Sequence, residues 1–182
     1  LRRIETIGPK VGDELKTSAL QAIMIALGLV LVYITFRFQW RQGIAAIITL
    51  LHDVMVVVGI FSIFDKEFTL PVIAALLTVV GYSLNDTIVI FDRIRENISK
   101  FRQRKLLPLI NQSVTETLSR TLLTSGTTLL VVLALFFLGG EIIHDFAFAL
   151  LIGVLIGTYS SIYVASPVVL WLTKIAPPKS SD

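Results

Sequence analysis

Five long apolar runs joined by mostly short polar links limit what this 182-residue sequence can fold into. A helix that crosses a membrane needs roughly 20 apolar residues at 1.5 Å rise to cover about 30 Å of hydrocarbon. The runs predict such spans at about 17–36, 43–64, 69–91, 121–138 and 147–171. The links RFQWRQ, DKEF and GGE are too short for anything but antiparallel neighbours. Only 16% of residues are charged and the mean hydropathy is +0.82, whereas a soluble domain carries about 25% charge. The expected fold is an all-α integral membrane protein, a bundle of five transmembrane helices spread over residues 17–174.

Residues 1–16 (LRRIETIGPKVGDELK) are polar and lack the apolar core of a signal peptide. They are read as an external lead-in within a piece of a longer protein, and residues 175–182 as a cytoplasmic tail. Orientation follows the Lys and Arg distribution. The first link, the segment 92–120 and the tail together hold ten, against five on the other side. The segment 92–120 and the C-terminus are therefore expected in the cytoplasm. Phe91, Ile94, Ile98 and Phe101 recur at helical spacing among basic residues, which predicts an amphipathic helix lying on the membrane surface. Pro108 is expected to end it. Ser113 and Glu116 fit a capping box opening the helix into the fourth span.

Ionisable residues inside spans are rare, and they face the bundle interior or a water-filled cavity. Asp86 lies six residues before Asp92, where the polar segment begins, about 9 Å inside the end of its span. Tyr82 and Asn85 add polar groups nearby, and Gly81 leaves room for close helix approach or water. Arg120 stands at the same end of the fourth span, with Thr124 among the hydroxyls that follow it. Depth and orientation make Asp86 and Arg120 candidates for an ion pair or a water-linked pair. His52 and Asp53 sit near the middle of the second span, about 100° apart on the helix, where burial favours a bundle-facing role. Gly153 and Gly157 form a GxxxG close-packing signal.

Several chemistries are excluded. With no cysteine there is no disulfide, thiol or zinc–thiolate site. There is no GxxxxGK[ST] phosphate loop and no nucleophile–His–acid arrangement. The chain is not expected to be an enzyme or to hold a metal or cofactor, so any work is powered by a partner or an ion gradient.

The run GYSLNDTIVIFDRIREN at 81–97 resembles the signature of the SecF family of protein-export membrane subunits. GPKVG at 8–12, LHDV at 51–54 and LSRTLLTSGTTL at 118–129 resemble further segments of that family, so the likeness covers nearly the whole chain. More loosely, 81–96 resembles the RND transporter superfamily. The resemblance implies six family helices with an external domain between the first and second, the five spans here being helices two to six. It implies residence in the bacterial cytoplasmic (inner) membrane within the lipid bilayer, pairing with SecD, and cooperation with the SecYEG channel and SecA on a translocating preprotein. Nucleic acid is not among the implied partners. It also implies that the proton-motive force drives the work, with Asp86 and Arg120 matching the family's membrane aspartate and arginine in proton coupling. Protonation of Asp86 would release the ion pair and let the helices rock. The alternatives at this stage are an RND-type exporter of small molecules or lipids, and a scaffold subunit that transports nothing.

Overall fold

The computed structural model describes residues 40–101 and 105–175 throughout, with scattered helical positions between 17 and 37. The lead-in 1–16, part of the first predicted span and most of the C-terminal tail lie outside the described residues. The described chain is helical, with no strand: α1 Trp40–Ile63, α2 Leu70–Lys100, α3 Leu106–Leu138, α4 Gly140–Ser160, a π-helical turn Ser161–Ala165, and α5 Ser166–Ile175. Four helical stretches are long and apolar enough to cross a membrane: α1, α2, α3, and α4 with its continuation to Thr173.

The breaks follow from local chemistry. Between α1 and α2, Asp65 takes φ +50°, a left-handed conformation that Asp tolerates better than most residues. Pro71 opens α2 in the first turn, after an extended Thr69, where its missing N–H costs nothing. Gly139 and Gly140 make the α3–α4 turn. A Cβ on Gly139 would collide with the Leu135 carbonyl, and Gly140 sits at φ +73°. The π-helical turn precedes Pro167, whose ring cannot accommodate the normal i−4 bond. The helix widens there instead of ending, so α4, the turn and α5 run on without interruption.

Two expectations for the basic segment are corrected. Residues 92–100 do not form a separate surface helix; they continue α2 without a break. Its 31 residues extend about 46 Å, longer than the hydrocarbon core. Phe91 and Ile94 are fully buried in one cluster with Leu109 and Ile110, so the apolar face meets α3 rather than lipid. Pro108 does not end a helix; it lies in the first turn of α3, where proline is tolerated. The Ser113–Glu116 capping box is therefore absent: Ser113 is inside α3 and donates to the Leu109 carbonyl at 2.8 Å.

The packed interior has three parts. One apolar cluster gathers Ala45, Leu50, Leu84, Ile90, Phe91, Ile94, Leu109 and Ala165. A second gathers Val57, Phe61, Val72, Val79, Val132 and Leu150. Near the junction of the two, each helix places a buried polar residue: Asp53 on α1, Ser83 on α2 with Asp86 one turn beyond it, Ser125 on α3 and Ser160 on α4. At the far end of the second cluster, Lys66 in the α1–α2 turn donates to Asp145 on α4 at 2.7 Å.

Candidate functional site

The closest helix contact positions the polar layer. A Cβ on Gly153 would strike the Val79 side chain, and one on Gly157 would come within 3.2 Å of the Ser83 Cβ. The GxxxG pair on α4 thus receives Val79 and Ser83, one turn apart on α2. That approach brings Ser160 of α4 and Ser83 of α2 to the same carboxylate on α1. Asp53 Oδ2 accepts from Ser83 Oγ at 2.5 Å and from Ser160 Oγ at 2.8 Å. His52 Nδ1 lies 2.9 Å from Asp53 Oδ1. Asp53 is 1% exposed, and both of its oxygens are occupied.

Asp86 lies one turn beyond Ser83 on α2, is equally buried, and has a poorer shell. Among the described residues its Oδ2 meets only Ser125 Oγ, at 3.5 Å, and its Oδ1 has no partner. Ser125 is itself shared. It accepts from Tyr82 Oη at 3.1 Å and lies 2.7 Å from Thr158 Oγ1 on α4. Thr158 already donates to the Val154 carbonyl at 2.7 Å. A hydroxyl carries one proton, and an ionised carboxylate offers about four acceptor positions. Among the described residues Asp86 therefore has at most one donor, which it shares with Thr158. One turn from Ser125, Thr121 Oγ1 is also buried without a partner.

The other predicted site residues are arranged differently. Arg120 is exposed and makes no ion pair within 4.0 Å among the described residues, so the direct Asp86–Arg120 contact is absent; its charge acts on Asp86 from further away. Asn85, next to the buried Asp86 on α2, is exposed. Gly81 is exposed with nothing within 4 Å of its would-be Cβ, so it makes no close helix approach. Thr124 turns its hydroxyl onto the Arg120 and Thr121 carbonyls of its own helix, a common fate of helical threonine. The hydroxyls that face the interior are Ser113, Thr117, Thr121 and Ser125. Their four-residue spacing is written in the sequence, and it passes through Thr121 and Ser125 rather than the expected Thr124.

Past the apolar stretches 69–91 and 121–138, a charged clasp joins the polar end of α2 to the start of α3. Asn97 is 1% exposed and donates to both Ser113 Oγ and Glu116 Oε2 at 2.9 Å. Gln112 and Arg93 also donate to Glu116, at 2.8 and 2.5 Å. These donors, Asn97 foremost, hold the Glu116 carboxyl down at about 2.

The comparisons with known proteins agree with one another. The family model described as protein export membrane protein SecD/SecF, C-terminal, matches residues 1–175. The chain is 55% identical over 172 residues to a protein translocase subunit SecF of Vibrio alginolyticus, covering 94% of this chain and 55% of that protein. It is 52% identical over 166 residues to the protein translocase subunit SecDF of Thermus thermophilus, covering 91% of this chain and 23% of that one. A crystal structure of SecDF in a super-membrane-facing form superposes with a TM-score of 0.83 at 49% identity, over 93% of this chain and 23% of that chain. The chain thus spans about half the length of the SecF relatives it matches.

Proposed function

The chain belongs to the SecD/SecF family of protein-export membrane proteins, and on that premise we propose that its bundle is the proton-responsive membrane part of a protein translocase subunit. The whole protein would pair with SecD in the bacterial inner membrane. The pair would use the proton-motive force to assist preproteins passing through the SecYEG channel after SecA. In this reading the spans cross at about 17–36, 43–64, 69–91, 121–138 and 147–171, with the C-terminus in the cytoplasm.

One observation carries the reading: two buried carboxylates in the same layer have opposite shells. Asp53, with two serines and His52 around it, is a packing node. Asp86, with a free oxygen and one shared hydroxyl, is the group that can gain and lose a proton. Its burial and the charge of Arg120 both act on its proton. A change in either, as helices shift, moves the proton. A bound proton weakens the pull toward Arg120, and α2 and α3 are then free to move against each other.

The test is Asp86→Asn in the intact complex, with gradient-dependent export of a reporter preprotein as the readout. The variant is close to isosteric and should assemble normally yet lose gradient-stimulated export. Export that still responds to the gradient would remove Asp86 from the mechanism.

A further inference from the structure

A pocket of about 120 Å³ lies at the basic end of the bundle, away from the carboxylate layer. It is lined by Arg41 and Gln42 of α1, Ile94, Arg95 and Ile98 of α2, and Leu106 of α3, with Val169 and Thr173 of α5 closing it. Two of its polar atoms are buried without any partner: Arg41 Nε, a donor, and Gln42 Oε1, an acceptor. Gln42 is only 6% exposed, and its Nε2 is spent on the Phe91 carbonyl at 3.4 Å. Buried polar atoms in native proteins are nearly always paired, so these two point to a missing occupant.

The charges point to its sign. Neither Arg41 nor Arg95 has a carboxylate within 4.0 Å among the described residues, and the acids nearby are engaged elsewhere. Asp92 pairs with Arg37 at 2.5 Å, and Glu96 with Arg93 and Lys100 at 2.6 Å each. Two guanidinium groups in a concave site select a phosphate, which their planar forks match. The remaining wall, Ile94, Ile98, Leu106 and Val169, is apolar and suits a chain attached to that phosphate. Depth fits as well. Trp40 and Trp171, 55% and 59% exposed, lie at this end, and exposed tryptophans concentrate at membrane interfaces. Basic pockets between membrane helices bind phospholipid headgroups.

We propose that this pocket binds the headgroup of an anionic phospholipid, its phosphate between Arg41 and Arg95 and a headgroup hydroxyl donating to Gln42 Oε1. Phosphatidylglycerol has that combination. Phosphatidylethanolamine could also donate to Gln42, but its ammonium would face two guanidinium groups.

The test uses the full-length protein that carries this chain, reconstituted in mixed phosphatidylglycerol and phosphatidylethanolamine nanodiscs, then released for native mass spectrometry of retained lipid. Phosphatidylglycerol should be retained in excess of its share of the bilayer. That excess should fall roughly tenfold or more in Arg41→Ala/Arg95→Ala, the scale of one or two lost charge-assisted hydrogen bonds. Arg41→Lys/Arg95→Lys keeps the charge without the fork and should fall in between, separating a lost site from a lost fold. In a second set of nanodiscs mixing phosphatidylglycerol with phosphatidic acid, Gln42→Leu should keep phosphate binding but lose the preference for phosphatidylglycerol. Unchanged retention in the double alanine variant, or equal retention of phosphatidylethanolamine, would overturn the proposal. Displacement by inorganic phosphate alone would assign the site to a soluble anion, and a cross-linked protein partner filling the pocket would assign it to that partner; either result overturns the lipid.

Discussion

At the level of single residues, the proposed function rests on the contrast between Asp53, whose two oxygens are both occupied, and Asp86, whose Oδ1 has no partner. Removing the Asp53 side chain in Asp53→Ala leaves the buried Ser83 hydroxyl without its acceptor and Ser160 with only the Gly157 carbonyl at 3.2 Å. Thermal unfolding of the purified protein should report a loss of about 1–3 kcal/mol, and Asp53→Asn, which keeps an acceptor, a smaller one. Ser125→Ala acts on the other site. It removes the only donor to Asp86 among the described residues and the acceptor for Tyr82, so gradient-stimulated export should drop while ATP-driven export through the channel persists; equal loss of both would mean that Ser125 only supports the fold. Asp86 was legible in the sequence because a carboxylate within an apolar run is conspicuous at any rotation of the helix. Its true neighbour was not. Adjacent helical residues point about 100° apart, so the chemistry that singled out Arg120 could not tell that Thr121 faces inward and Arg120 outward. Ser125 was hidden among four neighbouring hydroxyls whose facing only packing decides.

At the level of helices, the bundle depends on one narrow contact and one charged clasp. Gly153→Ala places a methyl group against Val79 and should destabilise by about 1–3 kcal/mol, the usual cost of overpacking. The double variant Gly153→Ala/Val79→Ala should recover much of it, whereas Gly81→Ala, with open space around it, should stay within about 0.5 kcal/mol. A differential-scanning measurement on the three variants checks the ordering. The clasp predicts a pH dependence. The carboxyl of Glu116 is held at about 2, below its usual 4.5. Its support of the α2–α3 junction is therefore complete above pH 4.5 and is lost as pH falls from there toward 2. Unfolding temperature should be flat between pH 8 and 5 and decline below that window, with a shallower decline in Glu116→Gln. The existence and order of these helices could be read from hydrophobic run length alone. Their ends could not. Glycine 139 and proline 108 sit where either could mark a break, and only the packing of Phe91 and Ile94 on Leu109 and Ile110 decides that α2 continues and α3 starts early.

At the level of the whole molecule, a polar layer lies between two apolar clusters, and every described helix from α1 to α4 contributes a residue to it. Such a layer costs stability in lipid and is retained where charge movement is used. Asp86 and Tyr82 of α2 both meet Ser125 of α3, which lies against Thr158 of α4, so on the proposed reading protonation of Asp86 would alter a polar link shared by three helices. Rearrangement of these helices would then carry the gradient's work to the rest of the translocase. The most direct measurement is infrared difference spectroscopy of the full-length protein in sealed proteoliposomes as a proton gradient is imposed. A carboxylic C=O band should change with the gradient in the wild type and be absent in Asp86→Asn, while persisting in Asp53→Asn. A spectrum with no gradient-dependent carboxyl band, or one whose band survives Asp86→Asn, would contradict a proton-responsive Asp86.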